Sequence, residues 1–241
     1  MLYNRRMSFG AFSFGNNDAT AAGPAHPMGA ALRAWSAALL LAFAALVAPT
    51  AAAQAPLQTI LVVGDSISAG YGLTQGTGWV ALLAARVAAE RYAYRVVNAS
   101  ITGDTTAGGR TRLPAALARE RPAIVVIELG GNDGLRGGSL ASTRANLDAM
   151  VVAAQRAGAK VLLIGTELPP NYGPAYTRDY AAIFSDVARD RRTALVPSLF
   201  AGFGERNEMF QADRIHPAPA AQTLMLDSVW KALQPMLARP K

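Results

Sequence analysis

The sequence predicts one α/β domain of three layers, with helices on both faces of a mostly parallel five-stranded sheet. Short β-branched runs alternate with longer stretches of helical periodicity, the pattern of strand–helix–strand units. Ile124-Val125-Val126-Ile127 is apolar at consecutive positions, as a strand covered on both faces must be. No repeat and no internal linker breaks residues 54–241, which are numerous enough for one well-buried core.

In chain order, strands are expected at 59–63, 94–98, 124–128, 160–165 and 194–197. Between the third and fourth, Leu147, Met150, Val151 and Ala154 recur at steps of three and four residues and mark the buried stripe of a helix. Near the C-terminus Leu226, Val229, Trp230, Leu233, Met236 and Leu237 do the same, with Asp227 and Lys231 on the other side. Right-handed crossovers leave few topologies, and parallel strands put the loops that follow them at one edge of the sheet, where open α/β sheets bind their ligands.

Residues 1–53 read differently. After Arg33 comes an unbroken apolar run, 37–48, then Pro49 and the small residues Ala51-Ala52-Ala53. A positive flank, a short apolar centre and an A-x-A ending describe a secretory signal peptide, with cleavage expected after Ala53. The run is shorter than the roughly 18–20 apolar residues of a membrane span. Translation from Met28 would give a signal of ordinary size, with 1–27 an over-extended start; a genuine N-terminal extension is the other reading. Export to the periplasm or medium is the expectation.

Composition narrows the chemistry. The formal charge is +7, and removing 1–53 takes away Arg5, Arg6, Arg33 and Asp18 to leave +5. The remaining positives are scattered, so no nucleic-acid partner is expected. The chain has no cysteine, which excludes disulfides, cysteine metal sites and a lipidated cysteine as membrane anchor.

Three polar, glycine-marked loops fall at the expected ligand edge: Gly64-Asp65-Ser66 after the first strand, Ser100 to Asp104 after the second, and Gly130-Gly131-Asn132-Asp133 after the third. A serine after a strand is commonly just a turn or cap residue. Ser66 gains weight from Asp213 and His216, close in sequence near the other end of the chain. Serine needs a base to take its proton, and that base needs an orienting partner. The two side chains would meet if the 213–216 turn is helical, with Pro217 and Pro219 fixing the turn before the last helix. Acyl transfer also creates an oxyanion, which the backbone N–H groups of Ser66 and Gly103 and the amide of Asn132 could stabilise; both glycine loops could equally be plain turns. The sharp Gly64-to-Ser66 turn is like a nucleophile elbow, but Ser68 stands where the closing glycine belongs and the turn follows the first strand, which argues against the alpha/beta-hydrolase fold.

Asp65, Asp104 and Asp133 could together hold Mg²⁺. That reading gives the Asp213–His216 pair no purpose, and backbone N–H groups of their own loops are the simpler partners. No metal or cofactor is expected. The 167–176 loop, with Asn171, Tyr172 and Gly173, should border an acyl pocket.

Gly64-Asp65-Ser66, Gly103, Gly131-Asn132-Asp133 and Asp213-x-x-His216 stand in the order of the four blocks of the SGNH (GDSL) hydrolases, and the chain resembles that family across 54–241. It is most similar to the periplasmic branch of multifunctional thioesterases, lysophospholipases and arylesterases. The stretches Val96 to Thr105, Glu128 to Gly137 and Leu168 to Gly173 extend the likeness. The resemblance implies a flavodoxin-like sheet, Ser66 as nucleophile, His216 as base, Asp213 as its orienter, Ser66, Gly103 and Asn132 as oxyanion donors, and hydrolysis of small-molecule acyl esters and thioesters without a metal. A carbohydrate O-deacetylase on the same fold, or a non-catalytic acyl- or lipid-binding protein, are the competing readings.

Overall fold

Alternate residues of β1, Gln58–Gly64, feed two separate cores. Ile60 and Val62 pack on one side of the sheet with Trp79, Leu83, Val229 and Trp230. Leu61 and Val63 pack on the other with Leu113, Leu147, Met150 and Phe184. Each fully buried side chain of this size contributes about 1.5–3 kcal/mol relative to exposure. A strand with two buried faces needs a helical layer on each, and that requirement fixes the architecture.

In this computed structural model, which describes residues 56–238, β1 is followed by α1 (Ser66–Ala69), α2 (Trp79–Ala89), β2 (Tyr94–Asn98), α3 (Thr106–Glu120) and β3 (Ile124–Glu128). Then come α4 (Gly131–Leu135), α5 (Leu140–Arg156), β4 (Lys160–Ile164), α6 (Pro174–Arg191), β5 (Ala194–Val196) and α7 (Gln222–Leu233). Helices α2 and α7 cover one face, and α3, α5 and α6 the other. The expected signal segment, its cleavage point and the alternative start lie outside the described residues. Among the described residues no helix is long and apolar enough to cross a membrane.

The strands run in the order β2-β1-β3-β4-β5, and every neighbouring pair is parallel. The sheet is thus wholly rather than mostly parallel. This is the flavodoxin-like order, in which the chain reverses direction across the sheet at β1 and β3 and leaves a crevice at their carboxyl ends. Ser66 follows β1 and Asn132 follows β3, so both sit at that crevice.

Three elements end earlier than expected, β4 by one residue at Ile164 and two others at prolines. β5 stops at Val196 because Pro197 has no N–H for the ladder. α7 stops at Leu233 and passes into a single 3₁₀ turn, Gln234–Met236, because Pro235 cannot supply the next helical N–H. Leu237 is still buried, on extended backbone beyond that turn.

Candidate active site

Ser66 is presented by a turn that only small residues allow. β1 ends at Gly64, where a Cβ would lie 2.7 Å from the Ser68 Cβ and 2.9 Å from Glu128 Oε2. Asp65 then caps α1 by accepting the Ile67 N–H at 3.0 Å. Ser66 is the first helical residue, 7 % exposed, and its N–H belongs to the helix end that has no intrahelical acceptor.

His216 reaches Ser66 from 150 residues away, carried by the loop before α7. Asp213 Oδ1 accepts the N–H groups of Ile215 at 2.9 Å and His216 at 3.0 Å, while Arg214 adopts a left-handed backbone with φ 57°. The turn is therefore not helical, contrary to the condition attached to the spacing. An aspartate binding backbone two and three residues onward brings the side chains together instead. The loop is latched in place: Gln211 N–H donates to His216 O at 2.8 Å, and the Gln211 amide donates to Tyr71 O at 2.8 Å. Gln222, at the start of α7, accepts the Trp79 N–H at 2.9 Å and donates to Pro217 O.

The result is a hydrogen-bonded chain. His216 Nε2 lies 2.9 Å from Ser66 Oγ, and His216 Nδ1 lies 2.6 Å from Asp213 Oδ2. Partial burial pushes the Asp213 carboxyl up, but donors from the His216 backbone, the His216 ring and the Ile215 N–H outweigh it and bring its pKa down to about 2. Ionised at neutral pH, Asp213 can only accept, so Nδ1 carries the proton and the Nε2 lone pair faces the serine hydroxyl.

Two acids lie behind the serine. Asp65 is 1 % exposed; burial raises its pKa to about 6, against the opposing pull of the Ile67 N–H and the Asn132 amide. Glu128, fully buried at the end of β3, is held well above the usual carboxylate range by burial and then by the charge on Asp65. Ser68 Oγ donates to its Oε2 at 2.6 Å.

The structure brings the other two loops to the same edge. Asn132 Nδ2 donates to Asp65 Oδ2 at 3.1 Å, which ties α4 to the residue before Ser66. Gly103 has φ 78°, with open space where a Cβ would stand, so backbone conformation and not crowding calls for glycine. Arg136 donates to Gly103 O at 3.2 Å, and Ile101 N–H donates to Gly64 O at 3.0 Å. Arg112 holds the β1 and β2 loops together through Gly64 O, Ala99 O and Asp104.

Asp104 accepts the Thr105 N–H, as expected of a loop carboxylate. Asp133 does not serve its own loop; it takes the N–H and hydroxyl of Thr106 at the start of α3. Each of the three strand-end aspartates is thus occupied by protein donors. Among the described residues no group of three His, Cys, Asp or Glu side chains is arranged to hold a metal ion.

A cleft of about 660 Å³ opens beside the serine, lined in part by Ile67, Leu168, Phe200, Phe210 and Ile215. Its apolar side chains suit an acyl or aryl group, and Glu205, Asn207 and Arg214 line it beside them. Asn171 lines it, with Glu167 and Pro169. Tyr172 and Gly173 are not among the lining residues: the Tyr172 hydroxyl donates to Leu135 O at 2.7 Å, and Gly173, at φ 86°, starts α6. Phe200 and Phe210 had no motif to point to them; Tyr71 closes the stretch that begins at Gly64, but the sequence did not say that its ring would lie against His216.

Residues 62–224 match the GDSL-like Lipase/Acylhydrolase family. The chain belongs to this family. It is accordingly a hydrolase of carboxylic esters. "Esterase TesA" of Pseudomonas aeruginosa is 58% identical over 184 residues, covering 76% of this chain and 92% of that one. "Thioesterase 1/protease 1/lysophospholipase L1" of Escherichia coli K12 is 39% identical over 183 residues, covering 76% of this chain and 86% of the relative. The crystal structure of the psychrotrophic esterase EstA from Pseudoalteromonas, inhibited by monoethylphosphonate, superposes with a TM-score of 0.70 at 38% identity over 74% of this chain and 97% of that one.

Proposed function

We propose that this hydrolase is an exported enzyme that cleaves acyl esters and thioesters through an acyl-enzyme on Ser66. The observation that carries the reading is the unbroken Ser66–His216–Asp213 hydrogen-bonded chain. Ser66 Oγ attacks the carbonyl carbon as its proton passes to His216 Nε2, and Asp213 stabilises the imidazolium. The oxyanion is received by the N–H groups of Ser66 and Gly103 and by the Asn132 amide. Collapse breaks the bond to the leaving oxygen or sulfur, which takes the proton from His216. Water then attacks the acyl-serine as its proton passes to His216, and collapse breaks the carbonyl–Oγ bond, returning that proton to Ser66 and releasing the acid.

The names of the relatives, an esterase and a thioesterase/lysophospholipase, favour this substrate class over acetylated carbohydrate. Asn171 contributes to the acyl wall, with Tyr172 and Gly173 setting its position. Export rests on the sequence of residues 1–53. The test is a panel of p-nitrophenyl esters, acyl thioesters, lysophospholipid and acetylated sugar with the wild type and Ser66→Ala. Ester and thioester turnover should dominate and fall about 10⁴-fold or more in the variant. Acetylated sugar as the best substrate would move the enzyme to the deacetylase class.

A further inference from the structure

Asp65 is buried immediately before Ser66, yet the acyl-transfer steps give it no part. Its two oxygens are divided between two tasks. Oδ1 accepts the Ile67 N–H and caps α1; Oδ2 accepts from Asn132 Nδ2 at 3.1 Å and bridges the ends of β1 and β3. We propose that Asp65 is a positioning residue whose Oδ2 locks the Asn132 amide with its second N–H facing the oxyanion. This rests on the reading of Asn132 as an oxyanion donor.

An asparagine amide has a donor end and an acceptor end, and a half-turn about its last bond exchanges them. Rotated the wrong way, Asn132 would present its oxygen to developing negative charge. An ionised carboxylate can only accept, so it admits the NH₂ end and rejects the oxygen. The surroundings keep that one negative charge on Asp65. Burial raises its pKa to about 6, but the donors from Ile67 and Asn132 hold it there, so at neutral pH the carboxylate is ionised. Glu128 has one oxygen occupied by Ser68 and the other, Oε1, buried with no hydrogen-bond partner. An ionised Glu128 would leave that oxygen uncompensated, so the pair is most stable with Glu128 protonated and Asp65 charged.

Asp65→Ser separates the two tasks, because a serine oxygen still caps a helix but the second oxygen is gone. With the full chain and a soluble p-nitrophenyl ester, kcat should fall about 10- to 100-fold while KM stays within about threefold, as for an interaction made in the transition state. Asn132→Ala alone should cost about 100- to 1000-fold. The double variant should then lie within about threefold of Asn132→Ala, because Asp65 acts through that side chain. Asp65→Asn, which preserves volume and cap, should give a milder loss that is also absent on the Asn132→Ala background. Losses that multiply would overturn the proposal while leaving Asn132 as a donor. An Asn132→Ala enzyme of unchanged kcat would overturn the donor role itself.

Discussion

The ring of Tyr71 lies against the imidazole of His216, centroids 4.5 Å apart and planes inclined at 40°. One residue comes from the turn just after Ser66 and the other from the loop before the last helix, and the Gln211 amide on Tyr71 O ties the same two segments. Tyr71 is half-exposed, so its ring is a wall that confines the imidazole and not a core residue. An aromatic contact of this kind is worth about 0.5–1.5 kcal/mol. Tyr71→Ala should therefore lower kcat/KM about 2- to 10-fold, and Tyr71→Phe should leave it unchanged in steady-state assays. An equal loss in both variants would assign the effect to the hydroxyl.

Asp213 offers oxygen to three donors at once. In Asp213→Asn an amide replaces the acceptor of the Nδ1 proton, favours the wrong imidazole tautomer and no longer stabilises the imidazolium. kcat on a p-nitrophenyl ester should drop about 10³- to 10⁴-fold, by analogy with the same change in the serine-protease triad. A loss below tenfold would show that the loop alone orients His216.

The two carboxylates nearest Ser66 and His216 should bias stability in opposite senses. Asp213, with a pKa of about 2 against roughly 3.9 in the unfolded chain, stabilises the fold above that unfolded value, and the contribution fades as pH drops toward 2. Asp65, raised to about 6 by burial, binds a proton in the folded state between about pH 4 and 6 that the unfolded chain releases. Its contribution is greatest below pH 4 and is lost as pH rises through 6. The melting temperature of Asp65→Asn minus that of the wild type should accordingly increase between pH 4.5 and 7.5. A difference independent of pH would mean Asp65 is not titrating in that window.

Gly64 has no room for a methyl group, with Ser68 Cβ and Oγ each 2.7 Å from the Cβ position. Gly64→Ala should cost about 1–3 kcal/mol in chemical denaturation, as overpacking does. It should also lower kcat, because the atoms that must yield belong to the helix carrying Ser66. A variant with full stability and activity would show that this turn relaxes freely.

The sheet was legible because its local signals were strong. Residues 94–98 and 124–128 are strands at the expected bounds, since β-branched runs flanked by turn residues leave little choice. Pro197 and Pro235 were visible in the sequence, and periodicity nevertheless overran both. The Ser66, Asp213 and His216 juxtaposition was inferred from residue chemistry, but the left-handed Arg214 that makes it was not, because few non-glycine residues adopt that backbone. The Asp65–Asn132 and Ser68–Glu128 bonds join residues more than fifty positions apart, and only the pairing of β1 with β3 brings them together. Tyr172 pointed to the acyl pocket by its loop, yet its hydroxyl faces Leu135 O, because a loop's position does not say which way each side chain turns.

In the proposed mechanism one serine hydroxyl, that of Ser66, is activated by His216 and forms the covalent intermediate. Reaction of the intact protein with a p-nitrophenyl organophosphonate, followed by mass mapping of peptides, tests it most directly. One stoichiometric adduct on Ser66 is predicted, absent in Ser66→Ala and formed about 10³-fold more slowly or worse in His216→Ala. An adduct elsewhere, or undiminished ester hydrolysis by Ser66→Ala, would rule out Ser66 as the acyl-carrying residue.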